Sequence, residues 1–162
     1  MTTLNKTDLD QLIAKAQAAP RKRAHHNLHT SLDAAVQRLA IAMEPETYVR
    51  PHRHPQTWEL YLPLSGEFKV IIFAEDATVV DCFKLGGADG LRAFELPKNT
   101  WHSVSSLVSG SIIFEVKEGP YIQPTDADVA SWSPPENHAL SADFQQFLLA
   151  AQPGQRYQNF TR

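Results

Sequence analysis

Apolar residues along this chain change their spacing twice, and each change marks a different kind of element. In residues 8–19, Leu9, Leu12, Ile13 and Ala16 recur at helical intervals. That spacing predicts an amphipathic helix with Thr7 or Asp8 at its start and Pro20 at its end. Residues 21–32 carry no such period and read as a polar, histidine-rich connection. From about residue 35 the alternation becomes two-fold, with Leu39, Ile41 and Met43 between smaller residues. Strand-like runs follow at 47–49, 58–62, 68–73, 78–83, 92–96, 102–107 and 111–117, separated by turn-forming residues such as Ser65-Gly66, Gly86-Gly87 and Ser109-Gly110. Many short strands at close spacing predict an all-β sandwich or barrel. Pro63 lies inside one run and predicts an edge or a bulge there.

Beyond Gly119-Pro120 the alternation stops. Prolines 120, 124, 134 and 135 make residues 120–138 an extended covering segment. Ser141 then opens a second helix, with Asp143 in its first turn and Phe144, Phe147, Leu148 and Ala151 as its apolar stripe. We expect one domain over 1–162: helix and connection to residue 34, β core over 35–119, covering segment and helix beyond.

Composition narrows the function class only modestly. Of 162 residues, 43% are hydrophobic and 20% charged, as in a soluble globular protein. A formal net charge of -3 argues against a nucleic-acid partner. No window is apolar enough to span a membrane, and no signal-peptide core follows Met1. Cys82 is the single cysteine, so no intramolecular disulfide forms, and a small core residue is its expected role. A cytoplasmic location is the expectation.

Candidate chemistry concentrates in Pro51-His52-Arg53-His54-Pro55-Gln56-Thr57-Trp58-Glu59. Residues two apart on extended chain share a face, so His52 and His54 present both imidazoles to one point. Glu59 returns through a tight bend, and two neutral nitrogens plus a carboxylate suit a divalent metal. A fourth ligand must come from elsewhere; His102, after the turn Pro97-Lys98-Asn99-Thr100, is the natural candidate. Against this, histidines beside apolar runs are often merely hydrogen-bonded, and short motifs match by chance.

The pattern His52-x-His54-x4-Glu59-x6-Gly66 resembles the first motif of the cupin superfamily, and Pro97-x-Asn99-x2-His102 resembles the second. Asn99 stands where cupins usually have glycine, at a turn that wants left-handed backbone, which asparagine tolerates. Gly90 is one residue further from Pro97 than usual, and Ser106 replaces a common asparagine. Over about residues 8–137 the chain is similar to the WbuC family of cupin-fold metalloproteins. The stretches that carry this include 47–54, 114–121 and 132–136. The resemblance implies a cupin double-stranded β-helix (jelly-roll) barrel with an N-terminal and a C-terminal helix. It implies a metal held by His52, His54, Glu59 and His102, a homodimer, and an association with surface-polysaccharide metabolism. Arg23, Asn27, His29 and Tyr121 are carried over as pocket residues.

Ligands of this kind accept iron, manganese, nickel, cobalt, copper or zinc. Four protein ligands close a tetrahedral site but leave two positions in an octahedral one. An open site would suit a metal-dependent isomerase or epimerase acting on a sugar-like or carboxylate substrate, or an iron(II) dioxygenase. The competing reading is a non-catalytic small-molecule-binding module, because no acid or base is assignable beside the ligands. Glu115 and Lys117 alternate with Phe114 and Val116, and Lys117 is a further pocket candidate. Charged strand residues usually face solvent, which is the ordinary expectation for both. Loop histidines 25, 26 and 29 are likewise expected to be exposed. Arg23 or Arg53 would suit a carboxylate or phosphate, and Trp58 or Trp101 either a stacking face or the core.

Overall fold

A computed structural model describes residues 1–160. Its elements in chain order are helix α1 (Lys6–Ala18), strands β1 (Arg23–Asn27), β2 (Val36–Met43), β3 (Glu59–Ser65), β4 (Glu67–Phe73), β5 (Val79–Gly86), β6 (Phe94–Leu96), β7 (Trp101–Ser106) and β8 (Ser111–Glu118), and helix α2 (Ser141–Ala150). All strand pairs are antiparallel and form two sheets. One sheet has the order β1-β2-β8-β3-β6 and the other β5-β4-β7. Their facing sides enclose Met43, Phe68, Val70, Leu85, Val104 and Ile113. This is the cupin jelly roll.

Each sheet also has its outer face covered. Leu12 and Ala16 of α1 pack on Ala40, Ala42 and Ile112, with Phe114 alongside. Phe144 and Leu148 of α2 pack with Ile71, Phe73 and Trp101 on the other sheet. The outward residues of β8 therefore meet a helix rather than water. Its other face, which includes Glu115 and Lys117, turns into the barrel. The expectation that these two charges face solvent is thus overturned, because α1 claims the apolar side of the strand. Lys69, on the outer side of β4, is buried and donates to Leu149 O (2.9 Å) and Ala151 O (2.6 Å), satisfying carbonyls at the end of α2.

Several local expectations need correction. Helix α1 starts two residues early because Asn5 caps it: Asn5 Oδ1 accepts from the Asp8 amide (3.2 Å) and Asp8 Oδ2 from the Asn5 amide (2.9 Å). Ser141 is the first residue of α2, whose cap position is Leu140 and has no side-chain bond. Within the polar connection, residues 23–27 form an edge strand paired to β2. Conversely, 47–49 is irregular. Its polar groups go to turns and side chains instead of a ladder: the Thr47 amide donates to Glu44 O (2.9 Å) and Ser103 Oγ to Val49 O (2.7 Å). Pro63 sits at a register shift between β3 and β8, as its missing N–H requires. Gly66 has φ +73°, and a Cβ there would lie 2.1 Å from Ser111 Oγ. Cys82 is partly buried against the α2 side.

Candidate metal centre

The two sequence segments that carry the histidines are tied by main-chain hydrogen bonds. The His102 amide donates to His52 O (2.9 Å), the His52 amide to His102 O (3.0 Å), and the Asn99 amide to His54 O (2.8 Å). Asn99 has φ +59°, the left-handed turn expected of it. On the other flank, the Arg53 amide donates to Asp128 O and the Ala130 amide to Pro51 O, both at 2.9 Å. The covering segment is thereby stitched to the first histidine segment.

This frame converges the ligand-type atoms of His52, His54 and His102 to within 4.8 Å of one another. Glu59, 1% exposed, lies against two of the three imidazoles. His54 Nε2 is 3.1 Å from Glu59 Oε1, and His102 Nε2 is 3.2 Å from Glu59 Oε2. Cross-strand register builds the surroundings. Glu59 stands opposite Lys117, and Tyr61 opposite Glu115. Tyr61 Oη donates to Glu59 Oε2 (2.7 Å), and Lys117 Nζ donates to Glu59 Oε1 (3.2 Å). Lys117 Nζ also lies 2.8 Å from Glu115 Oε1, off the line of a well-aligned hydrogen bond.

Ring tautomers test whether this set fits a cation. His52 Nδ1 lies 2.9 Å from Arg50 O and His102 Nδ1 3.0 Å from Thr100 O. A carbonyl only accepts, so each Nδ1 carries a proton, and a neutral ring then offers an Nε2 lone pair. For His102 that lone pair would face the Glu59 carboxylate, which a positive centre must reconcile. A proton on one nitrogen answers one contact; a metal ion answers all of them together. The two contacts fall on different Glu59 oxygens and the three imidazoles converge within 4.8 Å, so it is the donor chemistry of the cluster that suits a divalent metal. The residues fit a divalent metal.

Electrostatics are unequal across the cluster. Burial and the neighbouring His102 lower the His52 pKa to about 3, although the residue also lines a cavity. Burial alone would raise the Glu59 carboxyl, but its close contacts with His102 and His54 outweigh it and hold the pKa well below the usual range. Burial pushes Glu115 up, the Glu59 charge adds to that, and Lys117 offsets it only in part. Lys117 would be lowered by burial, yet Glu115 and Glu59 hold it above the ordinary lysine range. Burial, then the Glu59 and Glu115 charges, push the Tyr61 phenol well above its usual value.

Two cavities border the centre. The larger, of about 510 Å³, takes in His52, His102, Tyr61 and Glu115 and extends to Arg21, Arg23 and Glu136. The smaller, of about 280 Å³, takes in His54, Lys117, Tyr121 and Arg53. Pro124 of the covering segment lines both. Of the pocket candidates, Arg23 reaches the first cavity and Lys117 and Tyr121 the second. Asn27 is exposed on β1 outside both. His29 is buried, and its Nδ1 accepts from the Arg38 amide (3.0 Å) away from either cavity. His25 does line the larger cavity, while His26 is exposed on the opposite face of β1. Arg53 lies 4.5 Å over the Trp101 ring and donates to Glu75 (2.8 Å). Trp101 is therefore covered outer core, and Trp58 lines neither cavity.

Tyr61 and Glu136 went unread in the sequence. Tyr61 had a usable signal, two residues past Glu59 on a strand and hence on its face. Glu136 lies in the 132–136 stretch that carries the resemblance, but only the course of the covering segment brings it to the arginines.

No curated protein matches the chain in sequence. Among solved structures it is similar to TT1209 from Thermus thermophilus, at 21% identity and TM-score 0.52, covering 73% of this chain and 97% of that one. It is also similar to SPY1581, a conserved protein of unknown function from Streptococcus pyogenes, at 13% identity and TM-score 0.51, covering 75% and 93%. A further likeness is the cupin domain of Cnp3 from Schizosaccharomyces pombe, at 12% identity and TM-score 0.48, covering 60% and 64%. At such identities the likeness concerns the fold. Among the described residues, no helix is long and apolar enough to cross a membrane. A family profile matches residues 4–85, half of the sequence, and on that match the chain belongs to the family described as a domain of unknown function, DUF6016.

Proposed function

We propose that this protein is a metal-dependent cupin enzyme acting on a small sugar-like or carboxylate substrate, with His52, His54, Glu59 and His102 as the ligands of one divalent transition metal. The observation that carries it is the convergence of three imidazoles and one buried carboxylate beside a cavity of about 510 Å³. Sites for small organic ligands commonly have this size. A structural ion would have no need of such a space.

When bound, a metal here would polarise a substrate oxygen or activate water, as a Lewis acid does. The chain's own residues supply the rest. Tyr61 and Lys117 hold Glu59 in one orientation by donating to its two oxygens. Glu115 lines the larger cavity together with His52 and His102, so it is placed to give or take a proton from bound substrate. Lys117 steadies Glu115 from behind. The covering segment shields the centre from bulk water. The same ligand set would serve an isomerase or epimerase, or iron(II)-dependent dioxygen chemistry. A role in surface-polysaccharide metabolism, a cytoplasmic homodimer and kinship with WbuC proteins belong to this proposal, on the sequence resemblance.

Protein purified without chelator or metal-affinity resin is expected to hold about one equivalent of transition metal by elemental analysis. His52→Ala with His54→Ala should remove it while the far-ultraviolet circular dichroism keeps its β signature. A folded wild type with no metal sinks the proposal. A double variant that unfolds points to a structural ion. A metal-loaded protein that turns over neither sugar nucleotides nor keto acids, with iron or with manganese, favours the non-catalytic binding module.

A further inference from the structure

The outer end of the larger cavity is built around one carboxylate. Arg21 Nη2 and Arg23 Nη2 both donate to Oε1 of Glu136, the latter at 3.1 Å. Two guanidinium groups carry ten N–H donors between them, so most remain uncommitted to this acceptor. Arg23 stands opposite Met43 and His25 opposite Ile41, and all four line the cavity. The Arg23 side chain is only 23% exposed.

Arg50 borders the same space but is committed elsewhere. Its guanidinium donates to Ser133 Oγ (3.0 Å), Ala130 O (2.8 Å) and Ser133 O (2.8 Å), and Tyr48 Oη donates to Pro134 O (2.9 Å). These bonds pin residues 130–134. Glu136 lies two residues further on, free of those anchors. Its side chain can swing away without lifting the covering segment. Between the arginines and the imidazoles the wall is apolar, with Leu39, Ile41, Met43, Val49 and Val104. Bare sugar hydroxyls against that wall would lose their hydrogen bonds to water without replacement.

We propose that Arg21 and Arg23 form an anion-recognition end of this cavity, that Glu136 occupies it as an internal carboxylate, and that the ligand is a carboxylate or phosphate on a short apolar body that displaces Glu136. This refines the enzyme proposal and rests on it only for the ligand's other end, which would point to His52 and His102. A paired guanidinium site favours planar or tetrahedral anions through charge-assisted, paired hydrogen bonds. Glu136 keeps the arginines aligned in the absence of ligand and competes with weak anions.

Calorimetric titration of the full-length protein, as purified and after metal stripping, with hexanoate, hexyl phosphate and 1-hexanol tests this. One anion should bind both forms, and hexanol at least about tenfold more weakly, as expected for loss of a charged hydrogen-bonding group. The tighter anion distinguishes carboxylate from phosphate. Arg23→Met should weaken that anion by about tenfold or more, and Glu136→Gln should tighten it several-fold by removing the competitor. If Glu136→Gln loses its near-ultraviolet circular dichroism, Glu136→Asp, too short to reach Arg23, replaces it with the same expectation. Equal binding of hexanol and the anions, no anion binding, or unchanged affinity in the Arg23 and Glu136 variants overturns the proposal. Metal analysis of the same samples separates the two ideas. Arginine-dependent anion binding in protein that never held metal defeats only the metal centre. A metal-loaded protein indifferent to Arg23 and Glu136 defeats only the anion site.

Discussion

The two ends of the barrel interior share strand β8 and obey opposite rules. At the closed end, Phe68, Val70, Leu85 and Ile113 are each fully buried and pack in one apolar cluster. At the mouth, inward positions of β3, β7 and β8 hold the buried Glu59, His102 and Glu115 and the half-buried Lys117. Along β8 the switch from Ile113 to Glu115 takes one step of the strand period. The apolar end therefore carries stability through area removed from water. The mouth is held by mutual satisfaction of charges, which contributes little net stability but fixes geometry. Folding and chemistry are thus separable in one core.

The largest test of that separation is Phe68→Ala. It should cost about 3–5 kcal/mol, read by urea unfolding. Metal stoichiometry should stay unchanged in the protein that remains folded. If metal is lost along with stability, the two ends are coupled and the comparison fails. Lys117→Met comes next, because it strands Glu59 and Glu115 together without their shared cation. Loss of one partner from a buried pair costs roughly 3–5 kcal/mol, and we expect the lower end of that range here, since Glu115 takes up a proton. Added metal should restore part of it, which calorimetry would reveal as a stability gain larger than in the wild type.

Chelator treatment of the wild type should have a smaller effect. Occupancy stabilises by mass action, about 2.7 kcal/mol at a hundredfold excess over the dissociation constant. The melting temperature should fall by several degrees while the melt stays cooperative. Collapse to an unfolded chain would show that the mouth, not the apolar end, carries the fold. Smallest is Asn99→Ala. Its positive φ should cost about 1 kcal/mol, whereas Asn99→Gly should be near neutral, because only glycine adopts that backbone freely. A metal affinity that falls in Asn99→Ala but not in Asn99→Gly would show that this turn positions His102.

The spacing of apolar residues, two-fold in the strands and helical at both ends, let the β core and both helices be placed from sequence, as such spacing is a local property. The pairing of His52 with His54 was readable for the same reason, since residues two apart on extended backbone must share a face. Strand β1 has no apolar signature, whereas the Thr47-Tyr48-Val49 run has a strand-like one but finds no ladder partner; each outcome depends on residues far along the chain. Periodicity also shows that Glu115 and Lys117 share a face without saying which way that face points.

By itself the sequence determined the spacing of ligand-type side chains and the alternation of buried and exposed faces. Tertiary structure alone decided which face is the inside, because α1 covers one side of the large sheet and forces the charges of β8 inward. It also brought Glu136 to Arg21 and Arg23 across more than a hundred residues. Contacts of that reach arise from how the elements pack, and no local period can encode them.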